Sequence, residues 1–102
     1  MYILITSLYP NDKAKETANV YLKAITKYPD DPSLFTSIVP VAVRSTLQGM
    51  RVISVAEVKE GKFEGAHTVL LNRLVMLQDI PGYRWTMKTY LNLGEALKFV
   101  GM

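Results

Sequence analysis

The stretch Thr36–Val58, TSIVPVAVRSTLQGMRVISVAEV, decides the fold, because β-branched residues dominate it on both sides of a turn. Its composition predicts two antiparallel strands, Thr36–Arg44 and Arg51–Val58, connected around Leu47–Met50. Proline has no backbone N–H to donate, so Pro40 predicts that the first of these strands lies at a sheet edge or carries a bulge.

The turn sets which side chains share a face. With Gln48 and Gly49 as a two-residue loop, Thr46 lies opposite Arg51. One face then carries Val39, Val41, Val43, Val52, Ser54, Ala56 and Val58. The other face carries Ile38, Pro40, Ala42, Arg44, Arg51, Ile53, Val55 and Glu57.

A strand and a helix are predicted before this hairpin. The segment Met1–Tyr9 is apolar in both of its alternating rows, which is typical of a strand in the centre of a sheet. A helix follows, with Asn11 as its N-cap and Pro29 at its end. Its apolar stripe consists of Ala14, Ala18, Tyr21, Leu22, Ile25 and Tyr28.

Three further elements are predicted after the hairpin. The sequence predicts a second helix at Gly61–Gln78 and a fourth strand at Tyr83–Leu91. Asn92, with Glu95 three residues later, indicates a capping box for a short terminal helix. The stripe of the second helix consists of Phe63, Ala66, Leu70, Leu74 and Leu77.

The fourth strand contains the only tryptophan of the chain, in the stretch IPGYRWTMK (80–88). Strand spacing separates its aromatic and basic groups onto opposite faces. Tyr83, Trp85 and Met87 form one row, and Arg84, Thr86 and Lys88 form the other. We therefore interpret Trp85 as an anchor in the core or in an interface.

This order of elements predicts an α+β fold. It is the ferredoxin-like βαββαβ arrangement, a four-stranded antiparallel sheet of order 4-1-3-2 with a short C-terminal helix, in a single domain spanning residues 1–102. The helices cover one face of the sheet. The other face has apolar residues in its middle and charges near its ends, a pattern that favours contact with a second copy of the chain.

In element order and patterning, nearly the whole chain resembles the dimeric α/β-barrel group of ferredoxin-like proteins, and small uncharacterised prokaryotic proteins of that type. The resemblance implies a homodimer or a higher homo-oligomer in which two sheets pack face to face. It also implies a cavity between the sheets that takes a small-molecule ligand. Of the residues here, Tyr2, Tyr9, Arg44 and Arg51 are the ligand-binding candidates, unless the two arginines cap the rim of the interface.

The composition of the chain narrows the classes of chemistry and of binding partner that we expect. The chain has no cysteine, which excludes disulfides and thiolate catalysis, and its net charge of +3 comes from dispersed lysines and arginines. Because nucleic-acid binders concentrate their cations in patches, we expect no nucleic-acid partner. The apolar segment Met1–Leu8 is too short to span a membrane, so a cytoplasmic protein without a membrane partner is expected. No cofactor or metal site is indicated.

The function predicted from these patterns is self-association through the open sheet face, with a small molecule bound at the interface. The alternative is a small dimeric-barrel enzyme, an isomerase or a cofactor-independent oxygenase. Its catalytic candidates are His67 and Glu57, acting with Arg44 or Arg51. A nucleic-acid-binding module is a third and weaker hypothesis, since the strand Arg51–Val58 has no aromatic residue on which a base could stack.

Overall fold

The computed structural model describes all residues 1–102 as one sheet and three helices, with one turn of 3-10 helix at Asn11–Lys13. The strands are β1 (Tyr2–Tyr9), β2 (Phe35–Thr46), β3 (Gly49–Val58) and β4 (Arg84–Tyr90). The helices are α1 (Ala14–Lys27), α2 (Phe63–Leu77) and α3 (Leu93–Phe99).

All strand pairs in the sheet are antiparallel, and the order is β2-β3-β1-β4. This is the predicted order, read from the opposite edge, and β1 lies inside the sheet as its two apolar rows require. The prediction of an α+β chain with a four-stranded antiparallel sheet is confirmed. The element order β-α-β-β-α-β-α is compatible with a ferredoxin-like type.

The predicted register of the hairpin is wrong by two residues. Thr46 pairs with Gly49, so the loop consists of Leu47 and Gln48, and Arg44 lies directly opposite Arg51. Gly49 has a φ of +137°, and a Cβ there would collide with the carbonyl oxygen of Tyr9. The chain therefore uses its glycine to start β3 beside the end of β1 and not inside the loop.

Pro40 has the effect that the sequence predicts. β2 is an edge strand, and its pairing with β3 shifts register between Ser37 and Val39 and again between Val39 and Ala42. The first shift places Val39 opposite Val55, on the face away from the helices. The prediction that Val39 shares a face with Val43 is therefore wrong, because each bulge inserts one residue and reverses the alternation.

The two long helices differ in how well their stripes are predicted. In α2, Ala66, Leu70, Leu74 and Leu77 are buried as expected, although Phe63 at its first position is 38% exposed. In α1 the predicted stripe is rotated. Its buried positions are Thr17 and Ala24, while the predicted Leu22 is 58% exposed. Asn11 is not the N-cap of α1 either. That position is Lys13, and the side-chain Nδ2 of Asn11 donates to the carbonyl of Thr46.

The core lies between the sheet and α1 and α2. Its buried cluster consists of Ile3, Ile5, Phe35, Ala56, Val58, Ala66, Leu70 and Leu74. Trp85 packs against this cluster together with Tyr83 and Met87, and its Nε1 donates to Oε1 of Gln78 at 3.3 Å. Trp85 is thus an anchor on the helix side of the sheet.

The terminal helix has the predicted capping box, in which Asn92 and Glu95 exchange hydrogen bonds between side chain and backbone. Glu95 also forms an ion pair with the N-terminal ammonium of Met1. The apolar side chains of Leu93, Phe99 and Val100 are nevertheless exposed, so α3 has an apolar surface that the chain leaves uncovered. None of the helices combines the length and the apolar composition needed to cross a bilayer.

Candidate functional site

The face of the sheet away from the helices, here called the open face, holds most of the predicted site residues. Strand pairing arranges its side chains in four cross-strand rows, each written in the order β2, β3, β1, β4. The rows are Arg44, Arg51, Leu8 and Arg84; Ala42, Ile53, Thr6 and Thr86; Val39, Val55, Leu4 and Lys88; and Thr36, Glu57, Tyr2 and Tyr90.

The first row, here called the arginine row, gathers three cations across one end of the sheet. Strands lie about 4.8 Å apart, so Arg44, Arg51 and Arg84 span about 14 Å. None of them belongs to an ion pair in the chain, whose salt bridges join Met1 to Glu95, Lys13 to Glu16 and Arg73 to Asp30. Arg44 and Arg51 are direct cross-strand neighbours, and like charges in that position destabilise a sheet. This end of the sheet therefore favours an anionic group.

The opposite end of the open face carries acidic and aromatic side chains, which complement the arginine row. Glu57 and Tyr2 are cross-strand partners, and Tyr90 pairs with Tyr2 on its other side. Glu57 lies six positions after Arg51 on β3, a distance of about 20 Å along an extended strand. The face is therefore basic at one end, and acidic and aromatic at the other.

The middle of the open face is mostly apolar. Leu4 and Val55 are half-buried, and Ile53 is 40% exposed. Lys88 is the one charged residue of the two central rows. An apolar centre with polar ends is the anatomy of a protein interface.

The ligand-binding candidates divide between the two faces of the sheet. Tyr2, Arg44 and Arg51 lie on the open face, whereas Tyr9 is buried on the helix side with its ring stacked on Tyr83 at 5.9 Å. Burial raises the pKa of the Tyr9 phenol. These four residues therefore do not form one site within a chain.

The catalytic candidates do not converge either. His67 lies on α2, half-buried, with its ring 5.5 Å from that of Phe63. Glu57 is exposed on the open face, on the other side of the sheet from α2, and it lies at the end opposite the two arginines. A reaction that used His67 or Glu57 together with Arg44 or Arg51 would need groups from opposite faces, or from opposite ends, of the sheet.

The helix side of the sheet contains a second feature, a cavity of about 210 Å³ between the sheet and the two long helices. Its polar lining residues Ser7, Thr17, Tyr21 and Tyr83 did not emerge from the sequence as site residues. The alternation of β1 does place Ser7 in the same row as Ile3, Ile5 and Tyr9, so a polar residue inside an apolar row was the available signal.

Comparison of the chain with protein-family models, with curated proteins and with solved structures finds no match. The geometry of the two faces therefore carries the functional argument.

Proposed function

We propose that the protein is a cytoplasmic homodimer of the ferredoxin-like, dimeric α/β-barrel type, in which the open faces of two copies pack against each other. The observation that carries this proposal is the opposite chemistry of the two ends of the open face. One end presents Arg44, Arg51 and Arg84, and the other presents Glu57 with Tyr2 and Tyr90. A face of this kind is complementary to itself when one copy is turned end over end.

The accessible surface supports an interface of ordinary size. The chain exposes 6731 Å², whereas a compact monomer of its mass exposes about 5,800 Å². The excess of about 900 Å² is close to the 800 Å² or so that each partner contributes to a standard interface. The radius of gyration of 14.7 Å also exceeds the value of about 13 Å for a compact domain of this length. The chain therefore has a larger surface and a larger radius of gyration than a compact monomer, as expected of one half of a thicker dimer.

The orientation of the second copy follows from the charges. A two-fold axis that crosses the strands places β3 over β3 in antiparallel fashion, which brings Arg51 of each copy over Glu57 of the other. The same operation brings Arg84 over Tyr90, a favourable contact between a guanidinium and an aromatic face. Packed sheets are also rotated by about 30°, which displaces the ends by about 5 Å, within the reach of an arginine side chain.

The other possible axis runs along the strands and gives an unfavourable dimer. It places β2 over β4, so that Arg44 of each copy lies over Arg84 of the other. Six arginines then meet at one end of the interface without an acidic partner, which costs several kcal/mol if they are desolvated. We therefore assign the axis that crosses the strands.

Sedimentation equilibrium tests the proposal. We expect a dimer at about 10 µM, with a dissociation constant at or below the micromolar range that interfaces of this area show. A protein that sediments as a monomer at that concentration and at physiological salt contradicts it. Repetition at high salt should weaken the dimer, because both charged contacts lie near the rim.

A small anionic ligand at each end of the interface is a second candidate function, favoured by one observation. In the assigned orientation Arg44 lies over Thr36 of the second copy and gains no carboxylate. Inorganic phosphate should then raise the midpoint of thermal unfolding of the wild type and not of Arg44→Gln. Equal shifts in the two proteins would remove this candidate.

A further inference from the structure

The cavity on the helix side of the sheet lies between the two layers of the fold, the sheet and the pair of helices α1 and α2. Its floor comes from β1 and β3, where Ile5 faces Ser54 and Ser7 faces Val52. Its roof comes from α1 and α2. The exposed Val41 and Val43 also line it, so its mouth lies at the β2 edge. The bulges around Pro40 bring this part of β2 to the cavity, as bulges beside binding sites often do.

One polar atom in this cavity has no partner. Thr17 of α1 is only 6% exposed, and its Oγ1 makes no hydrogen bond in the protein. A buried hydroxyl without a partner costs free energy, and the great majority of buried polar groups are satisfied. Thr17 lines the cavity, and rotation about its χ1 bond, which has two accessible rotamers for threonine in a helix, turns the hydroxyl toward a bound molecule.

Three tyrosines, Tyr9, Tyr21 and Tyr83, line the same cavity. Burial raises the pKa values of Tyr9, Tyr21 and Tyr83, although the neighbouring Ser7 hydroxyl partly opposes the rise at Tyr83. All three phenols therefore keep their protons at neutral pH and are able to donate them. A ligand with an acceptor oxygen would accept these hydrogen bonds.

Charge within the cavity is largely compensated. Arg73 is the only cation that lines it. Its Nε donates to the carbonyl of Tyr28 and its second terminal nitrogen to Asp30, each at 2.7 Å. The guanidinium is thus bound to a carboxylate of the same chain, which leaves little net charge to attract an anionic ligand.

The volume of the cavity and the side chains that line it define the size and shape of the ligand. An apolar cavity of about 150 Å³ holds a benzene molecule, so one of about 210 Å³ holds a single ring with a short substituent. Most of the lining is aliphatic or aromatic, and the stacked rings of Tyr9 and Tyr83 offer a wall against which a flat molecule packs. We propose that this cavity binds an uncharged single-ring aromatic compound that carries an acceptor oxygen.

This site goes beyond the proposed dimer and is independent of it, because the cavity and the open face lie on opposite sides of the sheet. Acetophenone is a suitable probe, with toluene as the same ring without an acceptor and benzoate as its charged counterpart. In titrations followed by amide NMR shifts, acetophenone should bind at least tenfold more tightly than either. Equal binding of toluene, or tighter binding of benzoate, would overturn the assignment of the ligand class.

Thr17→Val distinguishes a ligand contact from a structural role. Loss of one hydrogen bond should weaken acetophenone about five- to tenfold and leave toluene unchanged. The same variant should raise the midpoint of thermal unfolding without ligand, because the unsatisfied hydroxyl is replaced by a methyl group of similar size. Thr26→Val is the matched control on the same helix, since its hydroxyl donates to the carbonyl of Leu22 at 2.8 Å and lies outside the cavity.

Ser54→Leu fills the cavity from its floor and should abolish the binding of both neutral probes. Arg51→Glu, which alters only the open face, should leave acetophenone affinity unchanged whether or not the dimer persists. Shifts that survive Ser54→Leu would place the probe outside the cavity, and no binding of any probe to the wild-type protein would show that the cavity takes none of these compounds. Either result overturns the proposal.

Discussion

Exchange of the charges at Arg51 and Glu57 gives the sharpest test of the proposed dimer. In the assigned orientation these residues meet twice, once at each end of the interface. We take about 1 kcal/mol for the attraction in each partly exposed pair. Reversal of one partner replaces each attraction by a repulsion of similar size, a change of about 4 kcal/mol over the two contacts, or about a thousandfold in the dissociation constant.

Arg51→Glu and Glu57→Arg should therefore each raise the dissociation constant about a thousandfold, as measured by sedimentation equilibrium over a range of protein concentrations. The double variant restores both pairs with exchanged signs and should recover the dimer to within about tenfold of the wild-type affinity. Lys23→Glu, a charge reversal of the same size on the exposed side of α1, should have no effect.

Within a single chain, Arg51→Glu should have a favourable effect on the stability of the fold. Arg51→Glu places a carboxylate directly opposite Arg44, where two like charges stand in the wild type. At concentrations at which the wild type is also monomeric, the unfolding midpoint of Arg51→Glu should not lie below that of the wild type, so weaker association cannot be ascribed to unfolding. Dimerisation of Arg51→Glu with wild-type affinity, or a double variant no better than the singles, would refute the assigned orientation.

Two further predictions concern the fold. Gly49→Ala should cost about 2–4 kcal/mol of unfolding free energy in urea titrations, because the new Cβ meets the Tyr9 carbonyl. Gly61→Ala, with φ +74° and nothing within 4 Å of the new Cβ, should cost only about 1 kcal/mol. Similar costs for the two variants would contradict the clash at Gly49. The raised pKa values of Tyr9, Tyr21 and Tyr83 mean that the unfolded chain loses these protons more readily. Stability should thus be unaffected below pH 10 and fall as pH rises through the folded-state values, with three of the six tyrosines ionising late in absorbance titrations.

The sequence predicts the secondary structure well where a local signal is strong. Pro40 predicts an edge position or a bulge for β2, which shows both, and Asn92 with Glu95 predicts the cap of α3, because each signal depends on chemistry within a few residues. The alternation around Trp85 assigns the correct row to each neighbour. It could not show which layer the row faces, because that depends on the helices.

The errors arise where tertiary contacts decide. Gly49 fits a loop by propensity, but its close approach to the Tyr9 carbonyl places it in β3, and this moves Arg44 opposite Arg51. The arginine row is completed by Arg84, which lies 33 positions after Arg51 in the sequence. Dispersed cations in the sequence thus become a cluster through strand pairing, which no count of charges detects.

The apolar content of the chain also acquires an explanation. Apolar residues make up 49% of the sequence, yet only 15 of 102 residues are buried. β1 and β3 account for much of this difference, because one row of each strand faces the helices and the other row faces the open side. If a second copy covers that side, folding and association are coupled, and the midpoint of thermal unfolding should rise with protein concentration. A midpoint that stays constant over a hundredfold range of concentration would mean that the open face contributes nothing to stability, and the proposed dimer would then fail.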